Sequence, residues 1–254
     1  MPEKKAATYP LPDAEPDNTS HVADWQAAYG GSTNIEQNWS SKTIGVCGVW
    51  MSGGTPTKSN PLFWQGEIPW VSAKDMKTSR LRDSHLHITE EAVSAGSRLV
   101  PSGSLLILVR GMSLAHSLPV ALTETSMAFN QDLKALTPAD GVCAEFLLAW
   151  FLVNKNKVLT KVTDSTHGTK RLPIPDLQAL QILLPPPAEQ RAIAGVLSDV
   201  DALLESLDRL LAKKRDLKQA AMQQLLTGKR RLPGFTKPWE EKRLGEIGMV
   251  TSAG

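Results

Sequence analysis

The sequence has little that would mark an extracellular, membrane or metal-binding protein. Its two cysteines, Cys47 and Cys143, lie far apart and form no Cys-x-x-Cys pair. This usage argues against a disulfide framework and against a zinc site, and it is typical of a reducing compartment. No apolar run approaches the roughly 18 residues that a membrane span needs. We therefore expect a cytoplasmic protein without membrane contact.

Charge of one sign is also scarce, because the net charge is only +2 over 254 residues. No basic field covers the whole molecule, so any anion-binding surface must be local. Residues 1–35 are rich in Pro, Asp, Glu and Ser and contain no apolar stretch of the kind found in signal peptides. Their composition predicts a disordered N-terminal extension.

Enzyme motifs are missing as well. The sequence has no P-loop, no His-Glu-x-x-His pair and no carboxylate–lysine cluster typical of nucleases. The segment Asn60-Pro61-Leu62-Phe63 resembles the Asn-Pro-Pro-aromatic motif of adenine methyltransferases. It follows Lys58-Ser59 rather than an apolar strand, and no glycine-rich cofactor loop accompanies it. A turn is the better interpretation, and we predict neither a catalytic residue nor a metal ligand.

The most informative feature present is an internal repeat. Residues 38–54 and 238–254 are two copies of one segment that lie 200 positions apart. The identical pairs are Trp39/Trp239, Lys42/Lys242, Gly45/Gly245, Gly48/Gly248, Ser52/Ser252 and Gly54/Gly254. This period exceeds the roughly 20–50 residues of solenoid repeats and suits a domain plus a spacer. The chain is therefore predicted to hold one complete unit and the first strand of a second.

Residues 36–187 have the pattern of one mixed domain. Short apolar runs bounded by turn residues predict strands at 43–51, 68–72, 104–110, 128–136 and 182–184. Apolar residues at helical spacing predict a helix at 143–153. Runs of this kind are typical of the α+β class.

Residues 188–228 read as one long helix between two stop signals. Three prolines, Pro185–Pro187, precede it, and Thr227-Gly228 supplies its end. At about 1.5 Å per residue it would be a rod of roughly 60 Å, too long to be buried on one domain. Its apolar residues follow a heptad pattern that predicts coiled-coil pairing with another helix. This stripe consists of Ile193, Val196, Val200, Leu203, Leu207, Leu210 and Leu217, with Leu197, Leu204 and Leu211 beside it.

Four segments together resemble the specificity (S) subunit of type I restriction–modification enzymes. They are residues 52–76, 183–194, 225–235 and 238–248. Members of this family carry two target recognition domains separated by two long helices. The resemblance implies one mixed α/β target recognition domain at 36–187 and a coiled-coil helix at 188–228. Residues 229–254 would then be a linker and the first segment of a second, truncated domain.

The resemblance also implies a function and a set of partners. The chain would be a non-catalytic specificity subunit that binds double-stranded DNA at a half-site and positions methyltransferase (M) and restriction/translocase (R) subunits. S-adenosylmethionine, ATP and Mg²⁺ would belong to those partners, and the long helix could form a homodimer. The alternative is a dimerisation or scaffold fragment of an interrupted specificity gene, without productive DNA recognition.

Candidate DNA-binding residues fall in three polar regions before residue 135. Lys58, Lys74 and Lys77 could hold phosphates or be ordinary surface lysines. Arg110, at the end of an apolar strand, could read guanine with two hydrogen bonds or form a structural salt bridge. In the polar group Asn130, Gln131 and Lys134, an amide could read adenine or only shape a turn.

A fourth candidate region is the small basic loop at 165–171, which resembles the loop that approaches DNA in this family. Its candidate contacts are Thr166, His167, Lys170 and Arg171. Trp64 and Trp70 are interpreted as core residues rather than as platforms that stack on bases.

Overall fold

The computed structural model describes residues 38–165 and 168–248. The predicted N-terminal extension at 1–35, the loop residues Thr166 and His167, and residues 249–254 lie outside this range. The described chain forms an α+β domain followed by a long helix, which confirms the predicted fold class. Within the described residues, none of the helices is both long and apolar enough to cross a membrane.

A five-stranded sheet forms the centre of the domain. Its spatial order is β2–β10–β7–β8–β4, and every neighbouring pair is antiparallel except β4 and β8. All four residues of β7 and of β8 are buried, as expected for strands covered on both faces. The strands are β2 (Gly48–Ser52), β4 (Arg80–Leu81), β7 (Leu105–Leu108), β8 (Val120–Thr123) and β10 (Leu133–Pro138).

A second sheet has four strands, in the spatial order β5–β3–β9–β6. Its strands are β3 (Ile68–Val71), β5 (Leu86–Ile88), β6 (Leu99–Val100) and β9 (Met127–Phe129). Helix α1 (Glu90–Gly96) follows β5 and is capped by Thr89, whose side chain accepts a hydrogen bond from Ala92 N. Trp70 packs edge-on against Trp64, with ring centroids 5.1 Å apart, so both tryptophans take the predicted structural role.

The two ends of the domain meet in a two-stranded ladder. Strand β1 (Ser40–Thr43) pairs antiparallel with β13 (Gln181–Leu184) just before the long helix begins. A smaller ladder joins β11 (Thr163–Asp164) to β12 (Lys170–Arg171). The helices between β10 and β13 are α2 (Ala144–Val153), α3 (Lys155–Leu159) and α4 (Ile174–Gln178).

Two strand predictions were too simple. Residues 43–51 contain a 3-10 turn at Ile44–Val46 between β1 and β2, because buried Ile44 donates its N–H to Leu180 O at 2.8 Å. Residues 128–136 are two strands, because Asn130–Asp132 carry the chain from the four-stranded to the five-stranded sheet. The turn between those strands becomes important for the candidate site.

Helix α5 (Pro187–Leu226) has 40 residues and begins one position earlier than predicted. Proline suits the first turn, where its missing N–H has no helical acceptor. From Val200 onward the described helix stands clear of the domain: Val200, Leu203, Leu207, Leu210 and Leu217 are between 46% and 58% exposed. The heptad stripe therefore remains without apolar cover in a single copy.

Beyond the helix the chain turns back on itself. Gly228 has a φ of +72°, the left-handed conformation that commonly ends a helix at glycine. The Arg231 guanidinium lies 5.3 Å above the Trp239 ring. Helix α6 (Leu244–Ile247) follows, so the predicted strand of the second repeat is wrong at these positions. The first copy has a helical turn at the matching positions, Ile44–Val46.

Candidate nucleic-acid interface

Three loops leave the domain at one sheet edge. Strands β3 and β9 are parallel, so their carboxyl ends lie side by side, and Asn130 N donates to Val71 O at 2.9 Å. The loop after β2 joins the same edge, where Gly54 N donates to Phe129 O at 2.9 Å. The segments that begin at Ser52, Ser72 and Asn130 therefore converge, although they are far apart in sequence.

The loop after β2 approaches the turn at Asn130 very closely. A Cβ atom on Gly53 would lie 2.2 Å from Asn130 O, so only glycine fits there. Two residues later, the Thr55 hydroxyl donates to Gln131 Oε1 at 2.5 Å. Backbone contact and side-chain contact thus fix one loop against the other.

A second set of backbone hydrogen bonds joins the end of β7 and strand β12, which carry further candidate residues, to the turn after β9. Val109 N donates to Asp132 O, and Leu172 N donates to Val109 O, both at 2.8 Å. Gly111 N donates to Lys170 O at 3.1 Å, and Arg110 and Arg171 form an isolated antiparallel bridge. The end of β7, the turn after β9 and β12 therefore form one surface.

Three cations lie close together on that surface. Burial lowers the pKa of Lys134, and the positive charges of Arg110 and Arg171 lower it further. The Lys134 ammonium donates to Ser52 Oγ, which holds it in place. Like charges gathered in this way repel one another, and an anion placed among them would relieve that repulsion. We call Arg110, Lys134 and Arg171 the basic cluster.

Arg110 forms a long ion pair and is half-exposed. Its guanidinium lies 4.0 Å from Asp132 Oδ1, yet its side chain is 52% exposed. An ion pair this long and this exposed contributes little stability, so the guanidinium stays available to a ligand. Lys170 instead donates to Asp164 Oδ1 at 2.5 Å across the β11–β12 ladder.

Asn130 and Gln131 are neighbours with different environments. Asn130 is 7% exposed, its amide donates to Asp132 Oδ2, and its Oδ1 accepts from Asp132 N. These bonds favour the turn-forming alternative for Asn130. Gln131 is exposed, and its side-chain oxygen accepts the hydrogen bond from the Thr55 hydroxyl.

The remaining predicted lysines sit on loops that start at the same edge. Lys58 is exposed on the loop after β2, and Lys74 and Lys77 are exposed on the loop after β3. Asp75 folds the latter loop, because its carboxylate accepts from Ser72 N at 2.8 Å and from His85 N at 2.9 Å. Asn60, in turn, caps a 3-10 turn by accepting from Leu62 N.

Sequence reasoning missed Ser52 and Thr55. Their only sequence signal is their place in a polar, glycine-rich loop, and they gain a role solely from the residues they touch. The candidates Thr166 and His167 lie outside the described residues. The described surface offers cations, an exposed amide and hydroxyl groups, and the described residues contain no group of three side chains suited to a metal ion. Groups of these kinds can contact phosphates and base edges.

Comparison with known proteins adds an independent line of evidence. Residues 36–213 match the family model of the type I restriction modification DNA specificity domain. The chain is 32% identical over 186 residues to the type I restriction enzyme EcoR124I/EcoR124II specificity subunit of Escherichia coli. That alignment covers 72% of this chain and 46% of the relative. The chain is 29% identical over 237 residues to the type I restriction enzyme MjaIX specificity subunit of Methanocaldococcus jannaschii. That alignment covers 86% of this chain and 53% of the relative.

Solved structures share the fold. An HsdS subunit from Thermoanaerobacter tengcongensis superposes with a TM-score of 0.56 at 20% identity, covering 81% of this chain and 50% of that one. A chain from a study of type I R-M complex assembly and conformational transition gives a TM-score of 0.58 at 20% identity, covering 81% and 51%. The chain spans about half the length of the relatives it matches.

Proposed function

The chain belongs to the type I restriction-modification DNA specificity family, and we propose that it binds duplex DNA through the basic cluster and reads one half-site. The observation that carries this proposal is the gathering of Arg110, Lys134 and Arg171 on one surface, where the two arginines lie near enough to lower the pKa of Lys134. Phosphate contact would neutralise these cations and release counterions from the DNA.

Binding of random-sequence duplex by the full chain, titrated with salt, tests this proposal. Replacing Lys134 or Arg171 with Gln should weaken binding and reduce the slope of log affinity against log salt by about 1 per lost contact. Lys42→Gln is a matched control, since Lys42 is exposed on β1. Strand β1 precedes the Gly48–Pro138 end of the β2–β10 pair, whereas Lys134 pairs with Ser52 at the other end. Equal slopes for all variants, or no binding by the unmutated chain, would favour the scaffold alternative.

We further propose that the long helix pairs with an antiparallel partner helix. The exposed heptad stripe supports this, because each buried leucine contributes about 1.5–3 kcal/mol. A second copy of this chain can provide that partner. The pair would set two recognition domains at a fixed separation and position the M and R subunits. S-adenosylmethionine, ATP and Mg²⁺ would be bound by those subunits.

Residues 238–248 are proposed to be the first segment of a second recognition domain. In the first copy, a Cβ on Gly45 would lie 3.1 Å from Gln178 Cβ, and one on Gly48 would lie 2.1 Å from Thr137 O. In the second copy, a Cβ on Gly245 or Gly248 meets no described atom within 4 Å. The second copy therefore has glycine at both positions, although no neighbouring described atom excludes a larger side chain there. Leu244 is likewise 84% exposed, whereas its counterpart Ile44 is fully buried.

A further inference from the structure

The contact between Thr55 and Gln131 joins two residues that are 76 positions apart. The oxygen of the Thr55 hydroxyl lies 2.5 Å from the side-chain oxygen of Gln131. This distance falls within the range of O–H···O hydrogen bonds and below that of N–H···O bonds, which begin at about 2.7 Å. The Gln131 carbonyl is therefore the acceptor, and the orientation of the amide is set by its partner.

Thr55 is itself held firmly. The residue before it, Gly54, accepts hydrogen bonds on its carbonyl from Trp70 Nε1 at 3.0 Å and from Ser97 Oγ at 3.1 Å. Gly54 N donates to Phe129 O, which lies two residues before Gln131. The hydroxyl and the amide are thus attached to the same sheet edge, and their hydrogen bond sets the orientation of the amide.

An amide held this way presents its acceptor oxygen and its donor nitrogen to a ligand in a fixed order. A carbonyl oxygen has two lone pairs, so Oε1 can accept a second hydrogen bond while Thr55 occupies the first. The adjacent Nε2 retains its donors on the exposed side chain. An acceptor beside a donor matches adenine, whose N6 amino group donates and whose N7 accepts in the major groove. An amide turned over by half a rotation would present the opposite order and lose this match.

We propose that Gln131 is a specificity-determining residue that reads adenine, and that Thr55 is its positioning residue. This inference rests on the proposed DNA binding and deepens it. The Arg110, Lys134 and Arg171 cations surround the turn that carries Gln131 and attract the backbone, whereas the oriented amide selects the base. Asn130 takes no part in base reading, because Asp132 occupies its side chain.

Selection from a pool of randomised duplexes by the full chain tests the inference, with the retained sequences read by sequencing. The unmutated chain should enrich adenine at one position of its half-site. Gln131→Ala should reduce that enrichment by about fivefold or more, the loss expected for one good two-bond contact. Thr55→Val removes the hydroxyl but keeps the shape, and it should have the same effect at the same position. Thr55→Ser should restore the enrichment.

Several outcomes separate the inference from the function it rests on. Adenine enrichment that survives Gln131→Ala would overturn it. A loss in Gln131→Ala without a loss in Thr55→Val would overturn the role of Thr55. Binding of the pool with the expected salt dependence but without any adenine preference would overturn the inference and leave DNA binding intact. Lys134→Gln should weaken all retained sequences alike, and a change confined to one base there would also contradict the assignment.

Discussion

Gln190 on the long helix accepts a hydrogen bond from the backbone N–H of Cys143 at 2.8 Å. Its amide nitrogen also donates to Gly141 O at 3.1 Å and to Pro185 O at 2.8 Å. Gln190 is 2% exposed, so one buried side chain satisfies three backbone groups where the helix leaves the domain. This relationship fixes the direction of the helix relative to the candidate interface, and hence the separation of any two recognition domains it joins.

Gln190→Met should destabilise the chain, because it keeps the volume but leaves buried backbone groups without partners. Each unsatisfied buried group costs about 1–3 kcal/mol. Urea unfolding followed by circular dichroism measures the effect. Gln223→Met is the control, since Gln223 is exposed on the same helix and should unfold like the unmutated chain. A Gln190→Met chain of unchanged stability would contradict the anchoring role.

Leu203→Asp combined with Leu210→Asp should dissociate the helix pair, because both residues lie on the exposed stripe and would carry charge into its centre. Sedimentation at micromolar concentration should give a dimer for the unmutated chain and a monomer for this variant. Ser198→Asp with Ala212→Asp adds the same charge on the opposite helix face and should leave the dimer intact. An unmutated chain that sediments as a monomer contradicts self-association through this helix.

Lys134→Gln should stabilise the free domain while it weakens DNA binding. The folded-state pKa of Lys134 lies below its usual value, so its charge costs stability at neutral pH. That cost is fully present below the folded pKa and fades as the pH rises from there to the ordinary lysine value. The gain in melting temperature should therefore shrink over the same pH interval. A variant less stable than the unmutated chain at pH 7 would show that the cluster is not repulsive.

Gly48→Ala and Gly248→Ala should differ sharply, although the two glycines occupy equivalent positions in the repeat. The first places a methyl group 2.1 Å from a backbone oxygen, which forces strands β2 and β10 apart. Overpacking of this kind costs about 1–3 kcal/mol or more. The second meets open space and should leave the urea midpoint unchanged. Similar destabilisation by both would mean that residues 238–248 already pack within this chain.

Sequence patterns predicted the ends of an element best where proline or glycine residues interrupt the helix or strand. Pro185–Pro187 and Gly228 set the ends of the long helix to within two residues, because proline and left-handed glycine act locally. The segment predicted as one strand at 128–136 contains a turn. Its polar residues suit an exposed strand face as well as a turn between two sheets, so the pattern did not separate the two. Residues 244–247 were wrongly predicted as part of a strand, since their short apolar run carries no periodicity that separates a strand from a helix.

The candidate site could be predicted only in part for a related reason. Arg110, Lys134 and Arg171 were predicted from their places at a strand end, in a polar group and in a small basic loop. Nothing local in the sequence indicates that Thr55 orients Gln131, because that relationship depends on the loop after β2 meeting the end of β9, where Gly54 N donates to Phe129 O. A contact between residues 76 positions apart can be identified only when the arrangement of the strands is known.

If this chain selects the DNA sites at which a type I enzyme acts, cells that express it with its methyltransferase subunit should carry its methylation pattern. Methylome sequencing of such cells measures that pattern. A homodimer with one recognition domain per copy has two identical readers related by a twofold axis, so its site must be an inverted repeat with a fixed gap. We expect methylation at such a palindrome, and we expect it to be lost when Lys134 and Arg171 are both replaced by Gln. Asymmetric modified sites would contradict the homodimer, and the absence of any chain-dependent methylation would contradict site selection by this chain.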